Sequence, residues 1–197
     1  MIIPLFYGVL LMQAGSLITV EPAYPAQAFQ GGTVVAQLQV SDGRVTRVRA
    51  LSGDEPFVAP TLNALRQWRF PEDRGEAAAL VVVNFRSPNL YAVGSPIQEL
   101  EIRRESDSLP LPKAVVEPAY PPHSMGQGGV TLQCKVGASG KITEIKVLKG
   151  LGDLTKPCSD AVREWRLDPA RDAEGNPAAS EIYGVCVFRQ PVLQAPK

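Results

Sequence analysis

Apolar side chains Val34, Ala36, Leu38 and Val40 alternate with Val35, Gln37 and Gln39, and a second run has Val130, Leu132, Cys134 and Val136 alternating with Thr131, Gln133 and Lys135. A period of two predicts strands with one face on a core. Each run meets a turn, Ser41-Asp42-Gly43 or Ala138-Ser139-Gly140, whose glycine suits the positive φ of a tight hairpin. In the strand expected next, Thr46, Val48 and Ala50, or Thr143, Ile145 and Val147, point one way, and Arg47 and Arg49, or Glu144 and Lys146, point the other. The period then lengthens. Thr61, Leu65 and Trp68 share one helical face, as do Cys158, Val162 and Trp165, and each helix must stop before a proline, Pro71 or Pro169. Each set closes with an apolar strand, Ala79 to Phe85 or Ile182 to Phe188. A single helical turn is expected ahead of the first strands, over Ala26 to Gln30 and Pro122 to Gly126.

The two sets are one pattern written twice. Val20-Glu21-Pro22-Ala23-Tyr24-Pro25 recurs 96 positions later as Val116-Glu117-Pro118-Ala119-Tyr120-Pro121. After one extra residue near Ser139 the offset is 97, and Arg66-Gln67-Trp68-Arg69 meets Arg163-Glu164-Trp165-Arg166. A further insertion, Asp172 to Ser180, brings Phe85-Arg86 opposite Phe188-Arg189. The element order is turn, strand, strand, helix, strand. A right-handed crossover then lays strand three beside strand one, so each copy is expected to be a three-stranded antiparallel sheet, order 2-1-3, with one main helix on one face. The fold class is α+β. Residues 17–87 form the first module, 88–115 a linker and 116–191 the second module. Within the linker Leu100 and Ile102 alternate with Glu99, Glu101 and Arg103, as in a strand.

The N-terminus reads differently. Met1 to Val20 carries no charge, and its dense apolar part, Ile2 to Met12, is shorter than the roughly 20 residues of a spanning helix. Residues 1–16 fit a signal peptide, with Ala14, Gly15 and Ser16 near the cleavage point, although no Lys or Arg precedes the apolar run. An uncleaved anchor through Val20 and a buried strand are the other readings. Export makes a disulfide plausible among Cys134, Cys158 and Cys186. The geometry selects Cys158 with Cys186. The helix begins where strand two ends, strand three runs parallel to strand two, and Cys186 sits near its end. Cys134 lies toward the opposite end of strand one, roughly 10 Å or more away at about 3.3 Å per residue.

Charge and motifs narrow the function. Twenty basic and twenty acidic residues give a net charge of zero, with no basic stripe, which argues against nucleic acid as partner. No nucleophile motif appears, and the lone His123 completes no zinc pattern, so no catalytic residue, metal or cofactor is expected and the chain reads as a non-enzyme without a small-molecule substrate. The carboxylate pairs Asp54-Glu55 and Glu72-Asp73 read as solvated loops, and Trp68, Trp165, Tyr24 and Tyr120 as structural. The third strands stand apart. Strand two carries Arg44, Arg47 and Arg49, or Lys141, Glu144 and Lys146, the usual protection of an edge. Leu80-Val81-Val82-Val83-Asn84-Phe85 and Tyr183-Gly184-Val185-Cys186-Val187-Phe188 carry no charge at all. Such an edge either receives an extended partner segment by β-augmentation or is covered by the linker or the other module. These twelve residues are the candidate partner-binding site. Strand three is also apolar on both faces, so the modules are expected to pack on each other or on the linker.

Taken in order, the Tyr-Pro before a short helix, the Gly-x-Val that opens strand one, the Asp-Gly turn, the Trp-Arg-Phe that ends the helix and the closing apolar strand resemble the C-terminal domain of TonB. The resemblance covers residues 20–86 and 116–189. It implies a periplasmic, exported protein that makes protein contacts in transport across the outer membrane, because such domains pair their last strand with a short segment of a transporter. The implied partner is a segment of an outer-membrane or periplasmic protein. There are departures. Energy-transducing members carry a membrane helix with a histidine and then a proline-rich spacer. Here no histidine precedes His123, and the first module begins within about ten residues of the apolar start. The second copy lacks Asp-Gly at its turn and has Leu167 where the first has Phe70. A binding module or adaptor is therefore the leading expectation, and an energy transducer whose anchor is missing or supplied by a partner is the alternative.

Overall fold

The alternating segments fold as strands in a computed structural model of the chain, which describes residues 16–72, 75–89, 95–104 and 106–191. The signal-peptide assignment falls, apart from Ser16, outside the described residues. Strands β1 (Gly32–Ser41) and β2 (Arg44–Gly53) form a hairpin, followed by helix α1 (Val58–Leu65) and strand β3 (Ala77–Phe85). The segment between the copies holds β4 (Ile97–Glu99) and β5 (Leu111–Val116). Then come β6 (Gly128–Val136), β7 (Ile142–Lys149), α2 (Thr155–Arg163), β8 (Arg166–Asp168), a small hairpin of β9 (Ala170–Arg171) and β10 (Pro177–Ala178), and β11 (Ser180–Phe188). Asp42 (φ 48°) and Gly43 (φ 71°) make the first hairpin turn left-handed at both central residues, which matches the twist of the flanking strands.

Six strands form one sheet in the order β2-β1-β3-β11-β6-β7. Each half of the chain contributes its strands in the order second, first, third, as the crossover rule requires, but the two sets are not separate sheets. They join along β3 and β11, which pair in parallel with Leu80 opposite Ile182 and Phe85 opposite Val187. A two-fold rotation about a line along the strands brings one half onto the other and turns the sheet over, so α1 and α2 cover opposite faces. Val34, Ala36, Leu38, Val81, Val83 and Phe85 pack with Leu65 and Trp68 on one face, and Val130, Leu132, Cys134, Ile182 and Phe188 pack with Val162 and Trp165 on the other.

Each half also completes the other's core. Leu80 and Val82, which face away from α1, lie in the cluster under α2, and Tyr183, Val185 and Val187 lie in the cluster under α1. Tyr183 meets Trp68 and Phe70 edge-on at 5.8 and 5.7 Å between ring centroids. This accounts for one aromatic difference between the halves. Phe70 has Tyr183 as its neighbour across the seam, whereas Leu167 shares its cluster with Leu80. An aromatic pair on one face is answered by an aliphatic pair on the other.

Two expectations change. The turns after Tyr-Pro do not become helices; each closes with one bond, from Ala28 N–H to the Pro25 carbonyl (3.1 Å) and from Ser124 N–H to the Pro121 carbonyl (3.0 Å). The linker carries more structure than a spacer. Its strand lies at Ile97–Glu99, ahead of the expected position, while Leu100 and Ile102 are buried against the second core. Strand β5 pairs with β4 and β8 to form a three-stranded sheet. Its counterpart ahead of the first half is a single bridge between Ile18 and Arg69. Trp68 donates to the Val20 carbonyl (2.8 Å) and Trp165 to the Val116 carbonyl (3.2 Å), so the recurrent hexapeptide is fastened to each helix end by the same bond.

Because Val185 belongs to the second half but is buried in the first half's core, Val185→Ala is expected to destabilise the chain by about 2 kcal/mol. Hydrogen exchange should then speed up at Val58–Leu65 as well as in β6 and β11. A first half whose exchange is unchanged would contradict the shared core.

Candidate interaction surface

The residues singled out on the third strands lie at the centre of the sheet. Leu80, Val81, Val82, Val83, Asn84 and Phe85 pair with β1 on one side and β11 on the other, and Tyr183, Gly184, Val185, Cys186, Val187 and Phe188 pair with β3 and β6. Neither strand offers an open edge, which corrects the placement of the third strands at sheet edges and meets the other expectation, cover by the other module. The physical reason is in their composition. Two uncharged strands, apolar on both faces, are each other's best cover, and parallel strands buried on both faces read as such continuous apolar runs. A partner segment at these twelve residues would have to take the place of the other half's strand.

What the seam builds is a paired junction at its C-terminal end. The recurrent tyrosines tie down the segments ahead of β1 and β6: the Tyr24 hydroxyl donates to the Gln30 carbonyl at 2.7 Å, and the Tyr120 hydroxyl to the Gly126 carbonyl at 2.8 Å. Each ring is then covered by the arginine that ends the other half's third strand. The Arg189 guanidinium lies 5.8 Å from the Tyr24 ring centre, and that of Arg86 lies 5.7 Å from the Tyr120 ring centre. Arg189 also donates to the Ala26 carbonyl at 2.8 Å. Arg86 is 4% exposed and stands 3.8 Å from the Glu117 carboxylate, which is itself well covered. Burial pushes the Glu117 carboxyl above its ordinary range, against the pull of Arg86, and lowers the Arg86 guanidinium. Burial likewise raises the Tyr24 hydroxyl. Sequence reasoning used Phe-Arg only to align the copies. Its recurrence after both third strands was the available signal for this lock.

Cys158 and Cys186 are joined as a disulfide with Cα atoms 5.9 Å apart. Cys134 is free and buried, and burial pushes its thiol up to about 12. The aromatic candidates are structural: Trp68 and Trp165 are at most 2% exposed. Asp54 accepts from the Thr33 N–H (2.8 Å) and from the Gln98 amide (2.9 Å), whereas Glu55 and His123 are exposed. Glu72 is exposed, and Asp73 lies outside the described residues. Among the described residues no group of three or more His, Cys, Asp or Glu could hold a metal.

The open edges of the large sheet are β2 and β7. Both are charged: β2 presents Arg44, Arg47 and Arg49, and β7 presents Glu144, Lys146 and Lys149, with Glu144 paired to Lys135 at 2.7 Å. The small sheet ends in β4 and β8. Two clefts lie beside the tyrosine segments, one of about 570 Å³ near Glu21, Gln127 and Arg189, and one of about 210 Å³ near Gly31, Asp54 and Gln98. Among the described residues no helix is long and apolar enough to cross a membrane.

Residues 116–189 match the family model of the Gram-negative bacterial TonB protein C-terminal. The match spans the second half, from the recurrent hexapeptide to Arg189. No curated protein matches the chain.

Replacing Glu117 with Leu leaves the Arg86 charge buried without its carboxylate and is expected to cost about 3 kcal/mol at neutral pH. In the parent, the folded state holds the Glu117 proton more tightly than the unfolded chain does, so this group's contribution to stability falls as pH rises above 4.5 through the raised value. Denaturant titrations at several pH values should show that component of the slope vanish in Glu117→Leu. Cys134, with its thiol pushed up to about 12, should resist alkylation at pH 8 until the chain unfolds. Rapid labelling of the native protein would contradict its burial. Reduction of the Cys158–Cys186 bridge, which closes a loop over a sequence separation of 28, is expected to lower stability. The loss by the chain-entropy argument is about 3–4 kcal/mol, read as a shift in the unfolding midpoint.

Proposed function

We infer that the chain is a protein-binding unit of the TonB C-terminal type that works in the periplasm, as an adaptor contacting outer-membrane or periplasmic proteins, and that both halves are modules of this type. The observation that carries the reading is the family match of residues 116–189. The first half lies outside that match, but it repeats the matched half's fastenings. Both tryptophans donate to the valine carbonyl just ahead of Glu-Pro-Ala-Tyr-Pro, both tyrosine hydroxyls hold the following segment, and both strand sets run second, first, third. This recurrence of bonds supports extending the likeness to residues 20–86.

Binding proceeds through backbone edges, by addition of an extended partner segment. The chain contains an instance of that chemistry in itself, since each half's third strand is already extended by the other's. Partners therefore use edges that the seam leaves open. The protein acts by contact and not by catalysis, and it needs no cofactor.

The test is retention. Immobilised full-length protein is incubated with detergent-solubilised outer-membrane and inner-membrane fractions of a Gram-negative cell under oxidising conditions. Selective retention of outer-membrane proteins, competed by free protein, is the expected result. Equal or no retention from both fractions would sink the reading.

A further inference from the structure

We propose that the backbone edge formed by Leu17 to Glu21 is a docking site for a short extended segment of a partner protein, apolar at its central residue. The argument rests on the two-fold repeat within the chain, and it deepens the binding function inferred above by naming a site and the chemistry of its occupant.

Around the second half this position is filled. Strand β4 lies antiparallel to β5, with Ile97 opposite Val116, Gln98 opposite Val115 and Glu99 opposite Ala114. Glu117 N–H donates to the Pro96 carbonyl (2.9 Å), and Leu100 N–H donates to the Lys113 carbonyl (2.8 Å). An antiparallel ladder bonds alternate pairs, so Gln98 and Val115 are the bonded pair between these two. On its other side β5 is held by β8, through Ala114 and Arg166.

The first half repeats half of this arrangement. Ile18, equivalent to Ala114, exchanges backbone bonds with Arg69, equivalent to Arg166, at 2.8 and 3.0 Å. Ile18 therefore faces the helix end, and Thr19, the next residue, faces the other way. Thr19 is equivalent to Val115, Glu21 to Glu117 and Leu17 to Lys113. Among the described residues the Thr19 backbone, the Glu21 N–H and the Leu17 carbonyl meet no partner. The ladder that β4 completes on one half is left open on the other.

Among the described residues a cleft adjoins one end of this edge, at Glu21. The cleft of about 210 Å³ next to β4 is lined in part by Gly31, Gly32, Asn84 and Glu117. Their equivalents Gln127, Gly128, Val187 and Glu21 line the cleft of about 570 Å³. It is the larger of the two, and among the described residues no strand equivalent to β4 stands beside it. Each cleft is lined by residues of both halves, so a strand added at Glu21 would touch both halves.

The repeat also indicates what the central residue should be. Gln98 is held by the Asp54 carboxylate at 2.9 Å. The residue equivalent to Asp54 is Leu151, which is partly buried against the second core and lies beside Gly128, next to the Glu21 side chain. A segment bound at Thr19 would thus direct its central side chain at a leucine in place of the Asp54 carboxylate, and the Glu21 carboxylate beside it is already paired with Lys149, so an amide would lose its water without the acceptor that holds Gln98. An aliphatic residue fits.

The probes are two peptides, Ser95 to Leu100 of this chain and the same peptide with Gln98→Leu, titrated into the oxidised full-length protein and followed by NMR. The leucine peptide is expected to bind about tenfold more tightly than the glutamine peptide, with the largest shifts at Leu17 to Glu21 and Leu151. Leu151→Asp should reverse the order. Thr19→Pro, which removes the ladder donor, should weaken the leucine peptide about tenfold or more, while Thr19→Ala stays within about twofold of the parent. Circular dichroism confirms that each variant folds, and the Leu151→Asp reversal does not depend on Thr19→Pro folding. Three results overturn the proposal: neither peptide binds and the Thr19 amide is already protected in the free chain, so the chain's own residues hold the edge; the protein self-associates through this edge and Thr19→Pro abolishes that; or the leucine peptide binds with shifts elsewhere. Loss of this site with retention of outer-membrane proteins intact would refute the site alone, and loss of retention with the peptide result intact would refute the broader function alone.

Discussion

Parallel pairing of β3 with β11 is the constraint on which the rest of the structure depends. Parallel strands with a two-fold relation must present opposite faces to their own helices, so joining the halves along this seam sends α1 and α2 to opposite sides of one sheet. That disposition gives a use to the apolar residues each third strand turns away from its own helix. Val82 enters the core under α2, and Val185 enters the core under α1. A half of this size buries little core by itself, and pooling two cores across a shared seam raises the apolar area removed from water for both.

The same seam explains the charges at its end. Extending β3 and β11 side by side carries Arg86 and Arg189 past each other, so each arrives over the other half's tyrosine. Arginine suits that place because its flat guanidinium covers a ring while its N–H groups reach carbonyls at the rim. The two copies then diverge. Arg86 is driven deep enough to require Glu117, at the cost of desolvating both, whereas Arg189 stays nearer the surface and bonds the Ala26 carbonyl. Glu21, the counterpart of Glu117, pairs instead with Lys149. The recurrent motif thus carries one buried ion pair and one partly exposed one.

For interaction, the seam closes the strand edges that composition made attractive and leaves others. Charged β2 and β7 bound the large sheet, in keeping with edges protected against stray pairing. The asymmetry that remains lies in the small sheet, where β5 has β4 beside it and the segment at Thr19 has no such strand among the described residues. Under the proposed binding by strand addition, what already covers an edge would select among edges, and the linker's strand β4 covers one of them.

The local pattern in the sequence determined most of each half. Alternation in β1 and β6, the Asp-Gly turn, and the helical spacing of Leu65 with Trp68 and of Val162 with Trp165 depend on near neighbours and on a solvent-to-core gradient, and those are written in the chain. The crossover rule then ordered three strands and brought Cys158 near Cys186. Even the repeat's insertions were readable, because they interrupt an otherwise constant offset. Which surface covers which could not be read that way. The uncharged third strands announced a need for cover, but the pattern that makes them sticky is the same whether the cover is a partner, the linker or each other. Only the tertiary structure decided for each other, since that choice depends on whether the linker can carry the second half to the right place with the right face up. The crossed placement of Arg86 and Arg189 follows from the same choice, as does the strand that β4 adds to one half. The seam joins residues about a hundred positions apart, such as Leu80 and Ile182, and no local period encodes any of these contacts.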